Sequence, residues 1–164
     1  METIPTFNYT GHGTEGSKYK ETSNLRTCEI AALIRKELKA KYPSYKFSVR
    51  SQNFSGGSAI DIDIKKIDFD PIKGAYKKFL QWQEENKEYP FFEDWKFDHQ
   101  EILTEQEKSE IFGNPSGNNS RYNLKGEELL KEVERIANQY NFNDSDAGID
   151  YFHTAYYLHV NYQN

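Results

Sequence analysis

Two alternating stretches constrain the fold more than anything else in the chain. Phe47-Ser48-Val49-Arg50-Ser51 and Ile60-Asp61-Ile62-Asp63-Ile64-Lys65 place apolar and polar residues by turns, so each can show one face to a core and the other to water. Between them, Ser55-Gly56-Gly57-Ser58 supplies glycines free to take positive φ, and an antiparallel hairpin is the economical connection. Phe47, Val49 and the isoleucines are expected on one face. Near the C-terminus, Tyr156, Leu158, Val160 and Tyr162 alternate with Tyr157, His159 and Asn161, which reads as a further strand able to pair with the hairpin.

The remaining periodicity is helical. Ile30, Leu33, Ile34, Leu38 and Tyr42 recur at spacings of three and four. Thr27 is the expected N-cap, Lys36, Lys39 and Lys41 crowd the negative end of the dipole, and Pro43 forbids continuation. Asp70-Pro71 reads as an N-cap with proline at the first helical position, followed by Ile72, Ala75, Tyr76, Phe79 and Leu80. Thr104-x-x-Glu107 is a capping box with Gly113 as a stop, and Leu129, Leu130, Val133, Ile136, Ala137 and Tyr140 mark a last long helix. Tyr89 to Phe97 is aromatic without period and reads as a loop; Gly113 to Asn123 reads as another. The expected fold is α+β: a small antiparallel sheet, made of a hairpin at about 46–52 and 59–66 with a C-terminal strand at about 155–162, packed on three or four helices at about 27–42, 71–86, 104–112 and 126–140. Residues 1–17 read as a polar N-terminal segment and 18–164 as a single domain, since no repeat or linker divides the chain.

Of 164 residues only 36% are hydrophobic, yet 12 are Tyr and 11 are Phe, so the core must draw on large rings. Cys28 is the only cysteine, which excludes an internal disulfide and a thiolate cage for zinc and fits a reducing compartment. Met1 to Ser17 lacks the basic head and apolar stretch of a secretion signal, and no apolar run reaches the roughly 20 residues of a membrane span; a cytoplasmic location is expected. Residues 18–50 carry nine Lys/Arg against three acids, a local +6 within a net −5, leaving −11 on the remainder. A basic front of this kind can meet a nucleic acid or an acidic protein face, or can be the solvated side of an amphipathic helix.

Two separated blocks carry a family resemblance. The first runs Ile34-Arg35-Lys36-Glu37-Leu38-Lys39, Tyr42-Pro43, Lys46-Phe47-Ser48-Val49-Arg50-Ser51 and Ser55-Gly56-Gly57-Ser58; the second is Tyr140-Asn141, Asp144-Ser145-Asp146, Asp150-Tyr151-Phe152 and Tyr156-Tyr157. Together they resemble a large polyvalent protein-associated domain, marked by a helix, a KFSVRS strand and a Gly-Gly turn. The resemblance implies the context of a phage, plasmid or conjugative element and brings no catalytic residues with it. The chain departs from that pattern after the second strand: where the family places a short polar Asp-Gly-Pro turn, it has Lys66-Ile67-Asp68-Phe69-Asp70-Pro71 and an aromatic insertion.

Three kinds of site can be read from the residues. Arg35, Lys39, Lys46 and Arg50, with Tyr45 and Phe54 as neighbouring rings, supply the phosphate-neutralising charges and stacking surfaces of a nucleic-acid or partner interface. Asp144, Asp146, Asp150 and His153 supply oxygen ligands and an imidazole suited to a divalent metal, although the calcium-loop spacing is not met. If Asp150 opens a helical turn, the same acids act as a cap and first-turn charges. Asp61 and Asp63 lie roughly 7 Å apart on one strand face, with Asp68 and Asp70 beyond, a pairing open to magnesium or acid–base work and equally to the wet side of a half-buried sheet. Cys28, in a first helical turn, is expected to be buried, with a reactive thiol as the alternative. His12, His99, His153 and His159 follow no ligand spacing, no phosphate-cradling loop is present, and no cofactor is expected. The expectation is therefore a non-enzymatic interaction protein of a mobile element with a protein partner; a nucleic-acid binder and a metal-dependent enzyme are the alternatives.

Overall fold

The computed structural model describes residues 9–85, 103–112 and 121–163. Along the chain come β1 (Thr14–Glu15), α1 (Tyr19–Thr22), α2 (Thr27–Lys41), β2 (Lys46–Phe54), β3 (Gly57–Lys66), α3 (Gly74–Glu85), α4 (Glu105–Phe112), α5 (Leu124–Asn138), β4 (Phe142–Asn143), a 3-10 turn at Ala147–Ile149 and β5 (Tyr157–Tyr162). The class is α+β, as the periodicities require. The expected loop at 89–97, His99 and most of the loop at 113–123 lie outside the described residues. No helix among the described residues is long and apolar enough to cross a membrane.

The chain divides into two compact units, one of residues 1–68 and 130–164, the other of residues 69–129. The first contains the hairpin. β2 and β3 pair antiparallel, with Phe47 opposite Ile64, Val49 opposite Ile62 and Phe54 opposite Gly57. Both strands run further than their alternation announces, up to a two-residue turn in which Gly56 takes φ 101°, a conformation that any side chain would strain. Val49, Ile60, Ile62 and Ile64 are buried, as are Ile30, Ala31, Ile34 and Leu38 of α2.

The third strand corrects one expectation. β5 lies beside β3, giving the order β2-β3-β5, but the pair is parallel, with Ile60 opposite Leu158 and Ile62 opposite Val160. Alternation has the same period in either direction, so it cannot report polarity. The long chain from 67 to 156 provides the crossover that a parallel pair needs. A second, two-stranded sheet pairs Thr14 with Asn143 and Glu15 with Phe142, so residues just inside the polar N-terminal segment join the first unit. Gly16 donates to the Asn141 carbonyl at 2.8 Å and Lys18 to that of Gln139 at 2.8 Å.

Two cap assignments shift. Arg26, not Thr27, is the N-cap of α2; the Glu29 carboxylate accepts from the Arg26 amide at 2.9 Å, while the Thr27 hydroxyl donates to Ser58 Oγ at 2.9 Å. Helix α2 therefore starts with its threonine used to tie it to the hairpin. In the second unit, α3 opens at Gly74 rather than at Pro71, because Asp70 Oδ1 accepts from the Ile72 amide at 3.0 Å and Ile72 forms a bridge to Tyr122. The aspartate thus closes a turn instead of capping a helix. The capping box of α4 is formed as expected, with Glu107 accepting from the Thr104 amide at 2.9 Å and the Thr104 hydroxyl accepting from the Glu107 amide at 3.2 Å. Ala75 and Leu103 are buried there with Tyr76 and Phe79 packed on them. Helix α5 starts two residues early, capped by Asn123 Oδ1 on the Gly126 amide at 3.0 Å.

A candidate basic groove

Arg35 and Lys39 stand one helical turn apart on α2, so their side chains leave the same face. Pro43 then ends the helix direction, and the chain returns as β2 through Tyr45 and Lys46. Between helix and strand opens a groove of about 670 Å³, lined by Arg35, Lys39, Pro43, Tyr45, Lys46, Phe47, Ser48, Val49 and Lys65. Among the described residues, four cations line it and no carboxylate does.

Lys65 enters through an irregularity. The register steps from Lys46 opposite Lys66 to Phe47 opposite Ile64, which leaves Lys65 without an opposite residue, as in a β-bulge that re-aims one side chain. Arg35 Nη2 donates to the Val49 carbonyl at 2.6 Å, crossing from helix to strand. Tyr45 donates to Asp68 Oδ1 at 2.6 Å, a hydrogen bond that pushes its phenol up from the ordinary value. The Tyr45 ring stacks on Tyr42, with centroids 5.3 Å apart and planes 2° apart, and Phe47 tilts against both.

Several other cations of the basic front are matched. Lys18 donates to Glu37, which also accepts from the Tyr140 hydroxyl; burial would raise the Glu37 carboxyl, but these hydrogen bonds hold it below its usual value. Lys41 and Arg135 both meet Glu132, whose carboxyl falls to about 2 through the Arg135 and Lys41 hydrogen bonds. Among the described residues, no ion pair joins Lys39, Lys46 or Lys65 to a carboxylate.

Of the six residues that the sequence places in an interface, the groove brings together Arg35, Lys39, Lys46 and Tyr45. Arg50 does not line it; further along β2, it is paired with Asp63 of β3 at 2.8 Å. Phe54 lies at the far end of β2, stacked on Tyr157 at 6.0 Å. Asp61 accepts from Gln52 and meets His159 Nδ1 at 2.9 Å, so both strand carboxylates have cationic or donor partners along the sheet's outer face.

The acids at 144–153 are separately engaged. Asp144 is 1% exposed and accepts from the Tyr9 amide at 2.6 Å, the Thr10 amide at 3.3 Å and the Thr10 hydroxyl. Burial pushes its carboxyl up, and the bonds from Thr10 and the two amides outweigh that and hold it low. Asp146 caps the 3-10 turn through the Gly148 amide at 2.8 Å, whereas Asp150 ends that turn at φ 54° instead of opening it. The His153 ring stands against Phe142 with centroids 5.0 Å apart. Among the described residues, no three His, Cys, Asp or Glu side chains come together as a metal-holding group. Cys28, expected to be buried, is exposed, because the first turn of α2 turns Ile30 and Ala31 inward and leaves Cys28 and Glu29 outside.

Fold and groove together define a small α+β chain with a cationic surface groove. A family model described as large polyvalent protein associated domain 29 matches residues 25–129, and the chain belongs to that family. Comparison with curated proteins and with solved structures returns no match. The matched stretch holds every described residue that lines the groove and excludes the acids at 144–153.

Proposed function

We propose that the chain is a non-enzymatic interaction protein of a bacterial mobile genetic element, and that it binds a host or element macromolecule through the groove between α2 and β2. The family membership supports the setting. The observation that carries the binding reading is the gathering of Arg35, Lys39, Lys46 and Lys65 around one cavity that, among the described residues, no carboxylate lines. Cations brought together in this way repel one another, and a polyanionic partner relieves that repulsion while it is steered in by the local field.

The test is a titration of labelled polyglutamate and of single- and double-stranded oligonucleotides at about 50 and 200 mM salt, where affinity resting on ion pairs falls steeply. Wild-type chain is compared with Lys39→Glu/Lys46→Glu. At least one polyanion is expected to bind wild type at the lower salt and to lose at least tenfold in affinity on the double variant. Absence of binding to every probe, or binding that the double variant leaves intact, refutes the reading.

A further inference from the structure

Four consecutive residues of β2, Lys46, Phe47, Ser48 and Val49, line the groove. Successive side chains of a strand point to opposite faces, so a cavity lying over one face touches every second residue. A cavity that touches four in a row runs along the strand's main-chain edge. β2 is an edge strand, since the order β2-β3-β5 leaves its other side without a strand partner among the described residues. The helix wall opposite supplies Arg35 and Lys39. A free strand edge facing a helix across a groove is the geometry in which an extended peptide adds as a further strand, main-chain hydrogen bonds giving affinity and side-chain contacts giving selectivity.

We propose that the occupant of the groove is an extended acidic segment of a partner protein, added to the edge of β2 at Lys46–Val49. This rests on the basic groove being the binding site and goes further by naming the occupant and its mode of attachment. The charge argues for acid: a lysine on an open edge resists pairing with neutral or basic strands, and here Lys46 is joined by Lys39, Lys65 and Arg35. Arg35 covers the Val49 carbonyl in the free chain; an incoming strand takes that acceptor and offers the guanidinium a carboxylate in exchange. Nucleic acid is the weaker fit. The facing sides of Tyr42 and Tyr45 are already stacked on each other and the Tyr45 hydroxyl is held by Asp68, which leaves little ring surface for bases.

The experiment uses the full chain with a fluorescent peptide of roughly ten alternating Glu and Val residues, a length suited to strand addition, the same peptide N-methylated at alternate amides in either frame, and an oligo(dT) of similar length. Expected are binding of the unmodified peptide, a loss of at least tenfold for one N-methylated frame, a similar loss for Lys39→Gln/Lys65→Gln, and peptide-induced shifts of the amide resonances of residues 46–49. Equal binding of both methylated frames refutes strand addition and leaves the basic groove standing. Tighter, groove-dependent binding of oligo(dT) than of peptide refutes the acidic occupant, again leaving the groove. If neither probe binds, or if both bind without regard to Lys39 and Lys65, the inference and the underlying reading fall together.

Discussion

Gly16 holds the N-terminal strand against the end of α5 through the absence of a side chain. A Cβ built there would lie 2.1 Å from the Asn138 carbonyl oxygen and 2.4 Å from that of Gln139, both main-chain atoms at a helix terminus that has little room to give. Relief requires residues 14–18 to lift by roughly 1 Å or more to restore ordinary contact distances. Such a lift strains or breaks the bonds from Gly16 to Asn141 and from Lys18 to Gln139. At about 0.5–1.5 kcal/mol each they amount to about 1–3 kcal/mol, offset by about 0.4–1 kcal/mol because alanine restricts the unfolded chain. Gly16→Ala is therefore expected to destabilise by about 1–2 kcal/mol, read from the urea midpoint at unchanged m-value. Amide exchange at residues 16 and 18 is expected to accelerate. Gly74→Ala is the control: a Cβ there meets nothing within 4 Å, so that variant should be neutral or stabilised by up to about 1 kcal/mol. If Gly16→Ala unfolds within about 0.5 kcal/mol of wild type with exchange at residues 16 and 18 unchanged, the close approach is not a constraint on the fold.

Two further outcomes follow from buried and charged groups. Tyr156 is 1% exposed and its hydroxyl donates to the Ala137 carbonyl at 2.6 Å, which also accepts from the Tyr140 amide; because the carbonyl keeps one partner, Tyr156→Phe should cost about 0.5–1.5 kcal/mol in urea unfolding, and a neutral result refutes a net contribution from this bond. Glu132 and Glu37 have folded carboxyls below their unfolded values, the former at about 2; the stabilisation they lend is complete above the unfolded value and is lost as pH falls toward the folded one, so Glu132→Gln should flatten the decline in thermal midpoint between about pH 5 and 2, and an unchanged slope refutes the linkage.

Element type was legible from local pattern wherever the pattern was long. The isoleucine alternation of β3, the three-and-four spacing of α2 and the Thr104 capping box each state a relation between residues a few positions apart, and physical chemistry acts on such relations without reference to the rest of the chain. Much of the groove was legible for the same reason: the charge excess over residues 18–50 contains Arg35, Lys39 and Lys46, and Tyr45 sits among them. Lys65 was not, because it joins the groove through a step in strand register, a relation between two strands. Proximity in sequence groups Arg50 and Phe54 with the groove residues, but Arg50 is drawn to Asp63 of β3 and Phe54 lies at the far end of β2, stacked on Tyr157.

Sequence alone determined the α+β class, the hairpin with its glycine turn, the helical stripes that bury Ile34 and Leu38, and the excess of positive charge on the segment that forms α2 and β2. Tertiary structure decided the parallel direction of β5, the pairing of Thr14–Glu15 with Phe142–Asn143, the burial of Asp144 beneath the amides of Tyr9 and Thr10, and which cations meet acids among the described residues. Periodicity and capping are set by neighbours along the chain, whereas strand polarity, register and ion pairing depend on which distant segments meet once the core has closed.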